Sequence, residues 1–316
     1  PVRAVIADRR SRYWVVAEGN VPLVFDQRGK FLSAIGREGQ GPGEFRGPTE
    51  AVLLPGDSVL IIDNVMHRAS IIGPDLKHAR SIRLPAGQVW RVALFDWPRL
   101  VMINAMVQTP AGVGWPLHLA NMSGDELVLT KSFGENEGTL RPGRAAELRQ
   151  QLSQPDSGRI WAADMLRYSI SRWDRNGTLQ STLRLEPTWF PGTSNLYAGN
   201  RDRPPDPRIH ATAVGSTGHL WVYTLVARPT WRDAWKDKPR PLPGVRESPS
   251  SASPTGLDLL HTRVEAIDIR ARRVLTATVS NDLVIAALAG DRVASVTETF
   301  NGILVVLIKK VALKER

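Results

Sequence analysis

Six short hydrophobic runs, each closing on a polar or small residue, recur along the chain at residues 13–17, 59–63, 100–104, 160–164, 220–224 and 293–297. Five of them share a bulky second residue, Trp14, Leu60, Val101, Trp161 or Trp221, while the sixth carries Ala294. Most lead to a second apolar run and a reversal built on Asp, Gly or Asn, as in Val24-Phe25-Asp26-Gln27-Arg28-Gly29 and Arg172-Trp173-Asp174-Arg175-Asn176-Gly177. Gly and Asn accept the positive φ that a tight antiparallel hairpin requires. A repeat of about 40 residues with four short strands can bury its faces only against its neighbours, which is how propeller blades are built.

The pattern therefore predicts an all-β chain, a six-bladed β-propeller of four-stranded antiparallel blades. The blades fall at about 1–36, 47–84, 88–133, 148–186, 208–280 and 282–316, one domain over 1–316 with a loop insertion at 226–261. Helix is expected as a turn or two over 144–151, rich in Ala, Glu, Leu and Arg, and over 230–236. Blade one has four strands starting at 2–7, but blade six has three, at 283–288, 293–297 and 303–311. An open edge exposes unpaired backbone groups. The absent strand is expected upstream of Pro1 or from a partner or neighbouring molecule along 303–311, the alternative being an edge protected by Lys309, Lys310 and Lys314.

Composition narrows the classes. The 42% of hydrophobic residues lie in short runs, with no stretch of about eighteen apolar residues to cross a bilayer, so a soluble chain is expected. The absence of cysteine removes disulfides, thiolate metal sites and cysteine nucleophiles. Lys plus Arg number 41 against 31 Asp plus Glu, a formal charge of +10, which attracts anions and acidic polymers.

The stretch Gly36-Arg37-Glu38-Gly39-Gln40-Gly41-Pro42-Gly43-Glu44-Phe45-Arg46-Gly47-Pro48, followed by Ser58-Val59-Leu60-Ile61-Ile62-Asp63-Asn64 and Arg68, resembles the NHL-repeat-like six-bladed propellers common in bacterial exported proteins. The match is specific over 13–84 and looser over 158–186. The resemblance implies a fold and an exported setting, periplasmic or extracellular, and no single activity.

In a propeller, the loop between second and third strands and the loop between blades share one face. The long connections, 36–48, 104–116, 134–147, 187–207 and 226–261, all belong to that class, whereas turns such as 8–11, 55–57 and 174–178 on the other face are short. Long loops in a compact fold usually carry function, which points to a small-molecule or protein ligand there. The insertion divides into a basic part with Trp231 and Trp235 and a Ser/Pro-rich linker at 248–254.

Repeat alignment places Glu50, Arg91, Gln151 and His210 where first strands enter the channel on this face, with Asp63, Asn104, Asp164 and Thr224 ending second strands around them. Two functions fit. A binding propeller would take an anionic small molecule, glycan or protein segment through Arg68, Arg91, Asn104, Tyr168 and Arg228, with Trp115, Trp231 and Trp235 for stacking. A propeller hydrolase of the lactonase, esterase or phosphoesterase type would use Glu50, Asp164 and His210 as acid and base. A divalent cation such as calcium would then sit on Glu50, Asp63 and Asp164. The Asn-Gly or Asp-Gly ligands that propeller lactonases carry at first-strand starts are absent, and Arg91 opposes a cation. The six histidines show no zinc spacing, no Gly-x-Ser-x-Gly elbow occurs, and nucleic acid is not an expected partner.

Overall fold

The computed structural model describes residues 1–109, 112–134, 144–193, 196–236, 238 and 254–313; most of the linker at 248–254, and Lys314, lie outside them. Blade one comprises β1 (Val2–Ala7), β2 (Tyr13–Ala17), β3 (Leu23–Phe25) and β4 (Phe31–Ala34). Blade two comprises β5 (Pro48–Leu53), β6 (Val59–Asp63), β7 (Arg68–Ile72) and β8 (His78–Arg83). Blade three is built from β9 (Gly87–Asp96), β10 (Leu100–Val107), β11 (Leu117–Ser123) and β12 (Glu126–Phe133). β13 (Gln150–Leu152), β14 (Arg159–Asp164), β15 (Ser169–Asp174) and β16 (Leu179–Arg184) make blade four. Blade five has β17 (Arg208–Val214), β18 (Leu220–Ala227), β19 (Leu260–Asp268) and β20 (Arg273–Ser280); blade six has β21 (Leu283–Leu288), β22 (Arg292–Glu298) and β23 (Leu304–Lys310).

Within each blade the strands follow sequence order and pair antiparallel. The first strands β1, β5, β9, β13, β17 and β21 neighbour one another in turn, and β21 returns to β1. The chain is a six-bladed β-propeller closed around one axis. A single parallel bridge, Glu126 to Arg83, joins the outer strands of blades two and three.

Second strands are apolar over most of their length, with polar residues such as Asp63, Asn104, Thr224 and Ser295 among them, because both faces of a blade are covered by neighbours. Trp14 and Val16 pack with Ala51, Val59 and Ile61 of blade two, and Trp161 and Ile170 with Ile209 and Val222 of blade five. Trp221 meets Val284 and Val293 of blade six, whose Ile285 and Val296 close the ring on Val5 and Val15. Short turns on one face are held by aspartates: Asp26 accepts the Arg28 and Lys30 N–H groups at 2.8 and 2.9 Å, and Asp174 those of Asn176 and Thr178 at 2.9 Å.

Some local expectations are corrected. Residues 144–151 and 230–236 contribute only single 3-10 turns, Ala145–Leu148 and Asp233–Trp235. A short helix α1 (Gly256–Leu259), closed by a capping box between Thr255 and Asp258, was not foreseen. The ladders of β10 and β18 continue past Asn104 and Thr224 to Val107 and Ala227, because β9 and β19 are long enough to pair there. β1 pairs with β2 as the inner strand of blade one, so among the described residues blade six keeps three strands.

His118 on β11 is fully buried, its Nδ1 2.8 Å from Ser132 Oγ. Burial pushes its imidazole down from 6.5 to about 4. The unfolded chain therefore takes up a proton near pH 6.5 that the folded chain refuses until about pH 4, so this contribution to stability is full above pH 6.5 and is lost as pH falls through that window. Urea unfolding of His118→Gln should show a shallower loss of stability between pH 6.5 and 4 than the parent protein; parallel curves would place His118 in water.

Candidate ligand site at the channel mouth

The first strands begin on the face that carries the long connections. Those connections meet there: Arg201 of the 187–207 loop donates to the carbonyls of Trp235, at 2.7 Å, and Lys238 in the insertion, and Asn104 Nδ2 reaches the Leu148 carbonyl at 2.7 Å. Near this end the first strands of blades one, two, three, five and six slip by one residue, leaving Arg3, Thr49, Trp90, His210 and Ile285 in bulges. A bulge re-aims side chains at the rim of a sheet.

Arg91 bridges three blades. Its Nη1 donates to Glu50 Oε2 at 2.9 Å and its Nε to Gln151 Oε1 at 2.8 Å. Burial holds the Glu50 carboxyl above its ordinary range, and Arg91 only partly draws it back. The Arg149 guanidinium lies 5.1 Å from the centre of the Trp90 ring; burial and then the charges of Arg91 and Arg3 hold it below the usual arginine range. Arg208 is lowered by burial in the same way, against the opposing pull of Asp206. His210 feels burial first and then Arg91, Arg208 and Arg3, which together push it down to about 3. Its imidazole is neutral at physiological pH. Arg3, Arg91 and Arg208, from blades one, three and five, thus act on a neutral imidazole, and Arg149 of blade four feels Arg91 and Arg3; Glu50 faces Arg91, Glu18 pairs with Arg3, and Asp206 acts on Arg208. Such a group is rich in guanidinium donors.

The predicted residues divide sharply. Glu50, Arg91, Gln151 and His210 stand on neighbouring or facing first strands of the ring. Asp63 and Asp164 instead hold loops: Asp63 accepts the N–H groups of Arg46, Gly47 and Met66 at 2.8, 3.1 and 3.0 Å, and Asp164 those of Leu166 and Arg167 at 2.8 and 3.1 Å. Asn104, wholly buried, donates to the Pro116 and Leu148 carbonyls and accepts from Gln150 N–H. Arg68 donates to the carbonyls of Gln40, Gly41 and Glu44 and so fastens the Gly-Pro-Gly-Glu-Phe loop, whose Phe45 is buried between blades one and two. Gly36 is required there: at φ +70° a Cβ would lie 2.0 Å from the Gly43 carbonyl oxygen.

Arg228 is likewise structural, donating to the carbonyls of Leu257, Leu260 and Asn281. Trp231 and Trp235, each 6% exposed, pack with Leu225, Leu259 and Leu260 and anchor the insertion, offering no open stacking face. Tyr168 is buried and donates to Glu265 at 2.6 Å. Trp115 is half-buried, its indole N–H enclosed. Asp63, Asp164, Asn104, Arg68 and Arg228 thus satisfy loop backbone, while Tyr168 bonds a side chain and Trp231 and Trp235 serve packing. Calcium does not fit. Among the described residues no three His, Asp or Glu side chains converge as metal ligands, and Glu50 faces the Arg91 guanidinium at 2.9 Å.

Alignment of the repeats missed Arg3, Arg149 and Arg208. Arg3 lies one residue after the start of β1, Arg149 one before β13 and Arg208 at the start of β17, whereas Arg91 lies four residues into β9.

The profile of the DUF5128 family, a 6-bladed beta-propeller, matches residues 5–72. No curated protein sequence matches the chain. A DUF4221 protein of Bacteroides vulgatus superposes with a TM-score of 0.59 at 9% identity, over 98% of this chain and 94% of that one. A Bacteroides fragilis protein provisionally named as exported gives 0.56 at 13% identity, over 94% and 80%. Virginiamycin B lyase of Staphylococcus aureus gives 0.50 at 10%, over 99% and 85%. At these identities the likeness is one of fold. No helix among the described residues is long and apolar enough to cross a membrane.

If Asp63 serves the loop and not a metal, Asp63→Ala should lower stability in urea by about 1–3 kcal/mol, and calcium should leave the melting temperature of the parent protein unchanged. A calcium-dependent rise in melting temperature that disappears in the variant would reverse the assignment.

Proposed function

We propose that this propeller binds an anionic small molecule or an acidic segment of a glycan or protein at its channel mouth, through Arg91, Arg149, Arg208 and Arg3. What supports the reading is the bridge that Arg91 makes to Glu50 and Gln151 of the neighbouring blades, beside which Arg3 and Arg208 act with it on the neutral His210, and Arg3 acts with it on Arg149. Guanidinium forks placed in advance by the ring suit carboxylate, phosphate or sulfate, and charge-assisted bonds of this kind are about twice as strong as neutral ones. The long loops supply the outer wall. The likeness to the Bacteroides fragilis protein supports an exported setting.

A second reading, hydrolysis or elimination at the same mouth, draws on Glu50, whose carboxyl burial holds above its ordinary range, and on neutral His210 as a base. Asp164 and Asp63 take no part in it because their oxygens are engaged by loop backbone.

Calorimetric titration with inorganic phosphate and with citrate tests the binding reading. Arg208→Ala and Arg149→Ala should each weaken binding by roughly tenfold, with affinity falling as salt rises, while Arg99→Ala on the opposite face has no effect. Arg91→Ala should weaken binding and also lower the melting temperature, since Glu50 loses its counter-charge. Equal affinity in the Arg149, Arg208 and Arg99 variants would remove the site from the mouth.

A further inference from the structure

We propose that two copies of this protein associate by pairing β23 with β23 antiparallel about a two-fold axis at Leu307. Among the described residues blade six ends on its third strand, β23, where the other five blades carry a fourth. β8 and β16 carry Arg, Ser, Gln or Thr along their lengths, the polar composition that protects a free edge. β23 reads Leu-Val-Val-Leu-Ile before its two lysines. Beside it Leu304 is 46% and Ile303 61% exposed, and Phe300 in the adjoining turn is fully exposed.

The hydrogen bonds flanking the hairpin fix which backbone groups are free. Thr299 N–H donates to the Ile303 carbonyl at 2.9 Å, and Val311 N–H to the Asp291 carbonyl at 2.7 Å. Both agree with the register Glu298↔Leu304 to Arg292↔Lys310. Bonded and non-bonded pairs alternate along an antiparallel ladder, so residues 303, 305, 307, 309 and 311 face β22. The N–H and C=O groups of Leu304, Val306, Ile308 and Lys310 therefore point away from the sheet.

A second copy satisfies this edge without remainder. With the axis at Leu307, Leu304 of each copy pairs with Lys310 of the other, and Val306 with Ile308, so every outward N–H and C=O of the four residues finds a partner. The lysines are kept apart: Lys310 lies beside Leu304, whose exposed surface its aliphatic stem can cover, and Lys309 is already paired with Asp282. The two Lys310 residues sit six positions apart along the strands, about 20 Å and well beyond the screening length of about 8 Å at physiological salt. A two-fold contact is closed, so it consumes the edge and propagates no fibre.

Sedimentation of the full chain at micromolar concentration should give twice the 34.9 kDa chain mass. Leu304→Lys, which sets a cation beside Lys310, should weaken the dimer about tenfold, and Leu304→Glu should tighten it. Val306→Pro removes an N–H that β22 does not use and should give a folded monomer. A monomeric parent protein overturns the proposal. So does a dimer whose dissociation constant is the same in both Leu304 variants, a comparison that stands even if Val306→Pro fails to fold.

Discussion

A blade of four antiparallel strands has two apolar faces and can bury neither on itself. Everything else in this molecule follows from that constraint. Each second strand must be apolar over most of its length, which is why Trp14, Trp161 and Trp221 are buried against the next blade, and why Val5 and Val15 must meet Ile285 and Val296 for the ring to close. With burial exhausted between blades, the polar residues of the first strands are left to the narrow space at the axis.

The same constraint explains the charge at the mouth. Side chains from six first strands converge where the ring is narrowest, so residues far apart in sequence share one electrostatic environment. Arg3 and Arg208 both act on His210, and Arg3 and Arg91 both act on Arg149. Guanidinium groups held together in this way repel one another, and Glu50, Glu18 and Asp206 offset the charges of Arg91, Arg3 and Arg208.

The architecture was legible because it rests on repetition, and the site was only half legible because it rests on register. Glu50, Arg91, Gln151 and His210 could be aligned, while Arg3 sits in a bulge of β1, and Arg149 and Arg208 stand just before or at the starts of their strands, outside the aligned positions. Asp63, Asp164, Asn104, Arg68 and Arg228 looked equally available in sequence. Nothing in composition shows that the long loops need their side chains to satisfy backbone N–H and C=O groups. The tryptophans of the insertion misled for a related reason: a pair four residues apart serves packing as readily as stacking, and the apolar surface of Leu225, Leu259 and Leu260 decides for packing.

The central claim is that the mouth of the channel is an anion site made by arginines of separate blades. An anomalous difference map from a crystal soaked in bromide tests it directly. The account predicts a bromide within hydrogen-bonding reach of at least two of Arg3, Arg91, Arg149 and Arg208, close to His210. Bromide bound at other surface arginines with none at the mouth would contradict it.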